Sequence, residues 1–302
     1  MIEIKGIKKR FGDIEALGGI DASIEDAKVF GLIGTNGAGK STLLKLLSGI
    51  IRPDAGEILV DERSVYENTA VKEEILYISD ELYFFMNASP KDMIEFYVNL
   101  YPKFDKTFCK KLLSGFGLDE NRRISTYSKG MKKQLSVILG LSAGTKYLLC
   151  DETFDGLDPV MRQTVKSLFA EAILERGLTP VIASHNLREM EDICDHAGLL
   201  HQGGIIFSRD IDDMKLSLHK LQCVFKDDNI TDDILKKDGL DIVLHKKTGS
   251  IHTFTVRGGR DEIINRISTY NPIFQEIIPL SLEEIFISET EVQGYDIKAL
   301  VL

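Results

Sequence analysis

The residues of this chain best arranged for chemistry are Gly34–Thr42, GTNGAGKST. They match G-x-x-x-x-G-K-[ST], placed after a predicted strand and at the start of a predicted helix, which is the context the pattern requires. Gly34, Gly37 and Gly39 let the backbone curl through Thr35, Asn36 and Ala38, so that its N–H groups converge on phosphate oxygens. The helix opening at Ser41 and Thr42 adds the positive end of its dipole. Lys40 supplies a point charge for β- and γ-phosphates, and Ser41 a hydroxyl for Mg²⁺. These residues predict a site for a nucleoside triphosphate.

Asp151 and Glu152 follow the apolar run YLLC, and His185 ends the apolar run in VIASHN. In a parallel sheet, ligands collect at the carboxyl ends of the strands. Asp151 is therefore placed to hold Mg²⁺, and Glu152 to polarise an attacking water. Adjacent acids after a strand also cap helices, and a single histidine is often structural, so these roles depend on the phosphate loop upstream. Ser128, in TYSKGMKKQL, reads as the cap of an amphipathic helix, its hydroxyl accepting a backbone N–H of the first turn. The basic clusters Lys8–Lys9–Arg10 and Lys132–Lys133 read as solvated faces rather than nucleic-acid contacts. Tyr127 and Met131, beside the second cluster, read as packing residues.

The elements that must position these groups alternate. Val29–Ile33, Tyr147–Cys150 and Pro180–Ala183 read as buried strands, and Ser41–Gly49, Lys91–Tyr101 and Val160–Glu175 as helices. Such alternation implies an α/β fold, a mainly parallel sheet with helices on both faces. After about Asp213 the texture changes. Strands at Leu221–Phe225, Asp241–His245, His252–Val256 and Phe274–Ile278 alternate with helices at Asp232–Lys237 and Asp261–Thr269. The order β-α-β-β-α-β predicts a small α+β, ferredoxin-like domain, followed by a helix at Leu282–Ile287. The expected division is residues 1–213 and 214–302.

The whole chain sets limits. Its 302 residues suit two domains. A net charge of −10 works against wrapping a nucleic-acid backbone, which requires a basic face. There is no apolar run of the length needed to span a bilayer, and the N-terminal residues read as a strand rather than a signal peptide. Cys109, Cys150, Cys194 and Cys223 are scattered without a C-x-x-C pair, a spacing that fits a reducing cytosol.

In this order and spacing, the pieces resemble the ATP-binding subunit of an ABC transporter over roughly residues 1 to 215. Gly34–Thr42 is similar to the Walker A loop of that family, Leu148–Glu152 to the Walker B strand with its catalytic glutamate, and His185 to the switch histidine. Asp155–Gly156–Leu157–Asp158 resembles the D-loop, with Asp155 and Asp158 at the dimer contact. Phe11 stands where the family places an aromatic ring that stacks on adenine. YSKGM occupies the place of the signature LSGGQ; Ser128 and Gly130 retain its serine and second glycine, while Lys129 and Met131 depart from it. Asp80 stands where the family has a glutamine, and its carboxylate offers Mg²⁺ an oxygen. The aromatics after it, Tyr83, Phe84 and Phe85, read either as core of a helical subdomain or as a groove for a partner helix.

The resemblance implies a P-loop ATPase domain with a helical subdomain, using ATP and Mg²⁺. Glu152 and His185 would be catalytic, and Ser128 and Gly130 would meet the γ-phosphate held by a second ATPase subunit, identical or not. It further implies a separate integral membrane permease as partner, and a cytoplasmic location at the inner face of the membrane. The C-terminal region resembles extensions in drug- and peptide-exporting subfamilies. Two other readings of the same motifs are a soluble mechanical ATPase of this type and a nucleotide-gated regulator; the single phosphate loop and the absence of sustained heptads disfavour the first.

Overall fold

The computed structural model describes residues 1–154, 157–226 and 230–292. The chain divides into two compact units, Met1–Ser208 and Arg209–Leu302. The first unit opens with β1 (Ile2–Phe11), β2 (Ile14–Ile24), β3 (Phe30–Ile33), α1 (Lys40–Leu47), β4 (Ala55–Val60), β5 (Arg63–Ser64), α2 (Thr69–Lys72) and β6 (Ile75–Ile78). It continues through α3 (Pro90–Leu100), α4 (Lys106–Gly115), α5 (Lys129–Ser142), β7 (Tyr147–Asp151), α6 (Pro159–Arg176), β8 (Thr179–Ser184), α7 (Leu187–Ile193), β9 (His196–His201) and β10 (Gly204–Asp210).

Among the described residues, two sheets form this unit. One has the order β10-β9-β3-β8-β7-β6, and its pairs β9–β3, β3–β8, β8–β7 and β7–β6 are parallel. Every residue of β3, β7 and β8 is buried, as expected of strands covered on both faces. The other sheet, β2-β1-β4-β5, is antiparallel. One hydrophobic cluster joins the two. It runs from Ile2, Ile7, Leu17 and Ile58 to Leu149, Val181 and Ala183 through Leu43, Leu44, Leu46 and Leu47 of α1. A helix buried on most of its circumference belongs inside the core, so the element carrying Lys40 is fixed from both sides.

The helical insert α3–α5 is bounded by strong local signals. Ser89 and Asp92 form a reciprocal capping box with Pro90 in the first turn of α3. Asp105 caps α4 through the Phe108 N–H. Tyr83 and Phe85 are exposed, Tyr83 at 80%, and Phe85 packs edge-on against Phe96 at 4.8 Å. Tyr83 and Phe85 thus lie on the surface rather than in the core, while Phe84 is partly buried.

The second unit carries α8 (Ile211–Ser217), β11 (Leu218–Val224), α9 (Asp232–Lys237), β12 (Asp241–Thr248), β13 (Ile251–Arg257), α10 (Arg260–Ser268), β14 (Phe274–Ile278) and α11 (Leu282–Val292). The sheet order β12-β13-β11-β14, with all pairs antiparallel, is the ferredoxin-like topology. Leu221, Phe254, Val256, Ile263 and Ile267 share its core. Alternate residues of β11 and one face of α10 supply that core, which is why the period-2 and period-3.6 patterns were readable in sequence.

Candidate functional site

The parallel register builds the site. Asp151 pairs opposite Ala183, and Ile33 opposite Ser184, so β3, β7 and β8 all end on one edge. The phosphate loop leaves β3 there, Glu152 leaves β7, and His185 leaves β8. Gly37 and Gly39 have φ of 82° and 107°, a left-handed backbone that favours glycine. A Cβ on Gly39 would stand 2.7 Å from the Ala16 carbonyl oxygen and 2.8 Å from Leu17 Cδ2, and one on Gly34 would stand 2.3 Å from the Leu200 carbonyl oxygen. The loop is closed by the Ala38 N–H, which donates to the Thr35 carbonyl over 3.1 Å.

Lys40 is buried, and its ammonium is aimed by three acceptors. It donates to the Gly34 carbonyl at 2.7 Å and the Thr35 carbonyl at 3.3 Å, and lies 3.3 Å from Glu152 Oε1. Glu152 Oε2 lies 2.9 Å from His185 Nδ1. The carboxylate therefore sits between the lysine charge and the imidazole. Glu152 has φ 46°, an uncommon conformation for a residue with a side chain. Such strain marks functional positions when the surroundings hold it.

Asp151 is buried, and Tyr77 Oη donates to its Oδ2 over 3.0 Å. Its Oδ1 is buried and has no hydrogen-bond partner among the described residues. Burial pushes the Asp151 carboxyl up, the hydroxyls of Ser41 and Tyr77 pull it down, and Glu152 and Asp80 add repulsion that raises it further. Burial, with Asp151 next, likewise raises the Tyr77 phenol, which keeps it a donor. An unsatisfied carboxylate oxygen beside a serine hydroxyl suits a hard divalent cation, which takes one or two protein oxygens and completes its shell with phosphates and water. The residues fit Mg²⁺.

The other sequence-predicted residues are placed as follows. Ser128 caps α5, its hydroxyl accepting the Met131 N–H over 3.2 Å, with Gly130 in the first turn. Both residues lie at the exposed start of the helix. Asp158 caps α6 through the Met161 N–H at 2.9 Å; Asp155 and Gly156 lie outside the described residues. Phe11 is half exposed at the end of β1, with Lys9 Nζ 5.5 Å from its ring centroid. Asp80 is half exposed, and its Oδ1 lies 3.7 Å from Lys133 Nζ.

Lys133 corrects the solvated-face reading of Lys132–Lys133. It is 1% exposed, and its Nζ donates to the Glu152 carbonyl over 2.6 Å. Its position on the helix could have revealed this, since Ser136, Val137 and Gly140 lie three, four and seven residues on and are buried with it. Tyr77 left no comparable signal in the sequence.

The family model described as ABC transporter matches residues 17–155. The chain is 30% identical to the ABC transporter ATP-binding protein YtrB of Bacillus subtilis over 289 residues, 96% of this chain and 98% of that one. The chain belongs to the ATP-binding subunits of ABC transporters. Within that family it is 32% identical to the lantibiotic transport ATP-binding protein SrtF of Streptococcus pyogenes, over 70% of this chain and 92% of that one. It is 26% identical to the bacitracin transport ATP-binding protein BcrA of Bacillus licheniformis, over 99% and 97%. Among solved structures, it resembles cbiO1 of Clostridium perfringens, part of the transporter complex cbiONQ, at 25% identity and a TM-score of 0.59 over 70% of this chain and 89% of that one. An ATP-binding cassette solved as a dimer with ADP and Pi shares the fold at 18% identity and a TM-score of 0.63, over 70% and 99%.

As a member of this family, the chain is an ATP-binding, ATP-hydrolysing transporter subunit. No helix among the described residues is long and apolar enough to cross a membrane. The family's phosphate loop depends on its glycines here in a measurable way. Gly39→Ala combines a disfavoured φ with a clash against backbone at Ala16. It is expected to lower stability by about 1–3 kcal/mol, read as a reduced midpoint in urea unfolding.

Proposed function

We propose that two copies of this chain close head to tail on two ATP molecules and that this closing drives a separate membrane permease. The observation that supports it is the convergence of Lys40, Glu152 and His185 on one strand edge, while Ser128 and Gly130 present an exposed helix start in the same chain. Each site would join the phosphate loop of one copy to Ser128 and Gly130 of the partner subunit, where free N–H groups and the helix dipole favour a phosphate.

Within a site, the backbone of Gly34–Thr42 cradles the phosphates and Lys40 bridges the β- and γ-oxygens. Ser41 and Asp151 would hold Mg²⁺, with Asp80 a further oxygen within the same acidic group, and the bound ion would offer charge compensation to the phosphates. Glu152 orients the attacking water and takes its proton, while His185 fixes the Glu152 carboxylate and reaches toward the γ-phosphate. Phe11 stacks on adenine, on a hairpin that reaches the phosphate loop at Ala16 and Leu17. Asp158, the cap of α6, lines the contact between the two copies.

The permease places the subunit at the cytoplasmic face of the membrane. The relatives named for lantibiotic and bacitracin transport support a cargo of that antibiotic kind. Affinity capture of the full chain from detergent-solubilised membranes tests this. It is expected to bring down an integral membrane protein with several spans in stoichiometric amount. Recovery with soluble complexes alone would favour the mechanical ATPase instead.

A further inference from the structure

Lys133 is a buried cation that the reaction scheme above does not use. It stands on α5, the helix that begins at Ser128, and its side chain is 2% exposed. Taking an ammonium out of water is unfavourable unless its protons are accepted. Of its three donors, one meets the Glu152 carbonyl at 2.6 Å, and Asp80 Oδ1 lies 3.7 Å from the same nitrogen. The aspartate that departs from the family's glutamine is thus matched by a lysine inside the fold.

The contact to Glu152 bears on its backbone. At φ 46° this residue is strained, and the strain persists only if its neighbours over-determine it. Its N–H donates to the Ala183 carbonyl of β8 over 2.9 Å. Its C=O accepts from Lys133. Both backbone polar groups are therefore clamped, one by the sheet and one by the helix that starts at Ser128. The clamp leaves the carboxylate between Lys40 and His185.

We propose that Lys133 is a positioning residue for the Glu152 carboxylate, clasping its carbonyl and pairing with Asp80, so that the helix carrying Ser128 sets the geometry of the catalytic group. A phosphate engaged at Ser128 would then be felt at Glu152 through one helix and one hydrogen bond. The inference rests on the catalytic reading of Glu152.

The test uses the full chain and the variants Lys133→Gln, Asp80→Gln, the double variant, and Glu152→Gln as a reference. Two quantities are read: kcat and KM for ATP, and amide hydrogen exchange of the segment 147–154. Lys133→Gln is expected to lower kcat by about tenfold to a hundredfold, the cost of a displaced reacting group, with KM within about threefold. Exchange of the segment should quicken. Replacing Asp80 as well should recover part of the lost kcat, because the carboxylate left without its cation is removed; contacting residues give such non-additive effects. An unchanged kcat with unchanged exchange, or strictly additive losses, would overturn the proposal. If Lys133→Gln does not fold, Asp80→Gln on the half-exposed side carries the test. It should quicken exchange of 147–154 in the absence of nucleotide and Mg²⁺, a change that loss of an oxygen for the ion would not give, and unchanged exchange would overturn the pairing. Should Glu152→Gln retain turnover, the catalytic reading fails, and the exchange of 147–154 alone then decides whether Lys133 holds that backbone.

Discussion

Glu152→Gln is expected to lower steady-state ATP turnover by about a hundredfold to ten-thousandfold, the range for loss of a general base, while ATP affinity stays within a few-fold. The substitution keeps the shape of the side chain but replaces an acceptor oxygen with an amide that cannot take a proton. The backbone clamp at Ala183 and Lys133 involves only main-chain atoms of residue 152, so it survives. Lys40 retains its contacts to the Gly34 and Thr35 carbonyls, so the phosphate loop keeps its form. Phosphate release assayed on the purified variant checks the prediction. Turnover equal to that of the parent protein would remove Glu152 from the chemistry.

Lys40→Ala is expected to weaken ATP binding by about tenfold to a hundredfold. A hydrogen bond to a charged group contributes about 1.5–3 kcal/mol, and each 1.4 kcal/mol is a factor of ten in affinity. Lys40 is the buried cation of the phosphate loop, and Glu152, 3.3 Å from it, would otherwise repel a triphosphate. The loss should therefore sit in binding before it appears in turnover. Alanine suits the first turn of α1, and the Leu43–Leu47 core is untouched, so the fold should remain. Equilibrium titration with a fluorescent ATP analogue measures the effect, and unchanged affinity would contradict the assignment of the loop.

The features legible in sequence were those set by local pattern. The phosphate loop carries its glycines because of backbone geometry at Gly37 and Gly39, and its strand–helix context follows from adjacent residues. The strands β3, β7 and β8 were readable as apolar runs because they are buried on both faces. In the second unit, β14 and α9 fall on the expected bounds, and β12 is three residues longer than the reading, through Thr248. The antiparallel sheet of β1, β2, β4 and β5 was not anticipated, since its pairing of Ile2 with Val60 depends on contacts distant in sequence. The longer α11, reaching Val292, escaped a reading based on SLEEIF alone.

The site itself was legible in its parts but not in its wiring. Lys40, Asp151, Glu152 and His185 each had a motif, and the parallel register brings them to one edge. The roles of Lys133 and Tyr77 depend on which side chains meet across α5, β6 and β7, and composition gave them away in neither case. A lysine beside another lysine looked solvated, although helical spacing put it on the buried face of α5. The departures Asp80 and Lys129 were visible as letters; only the structure shows that Asp80 has a lysine facing it.

The central claim is that two copies of the chain share ATP through Ser128. It is tested most directly by light scattering of Glu152→Gln at saturating ATP and Mg²⁺, with and without Ser128→Arg. The account predicts that the mass of the single variant doubles on adding ATP and that the double variant, still binding ATP, stays monomeric. A single variant that binds ATP and remains a monomer would contradict it.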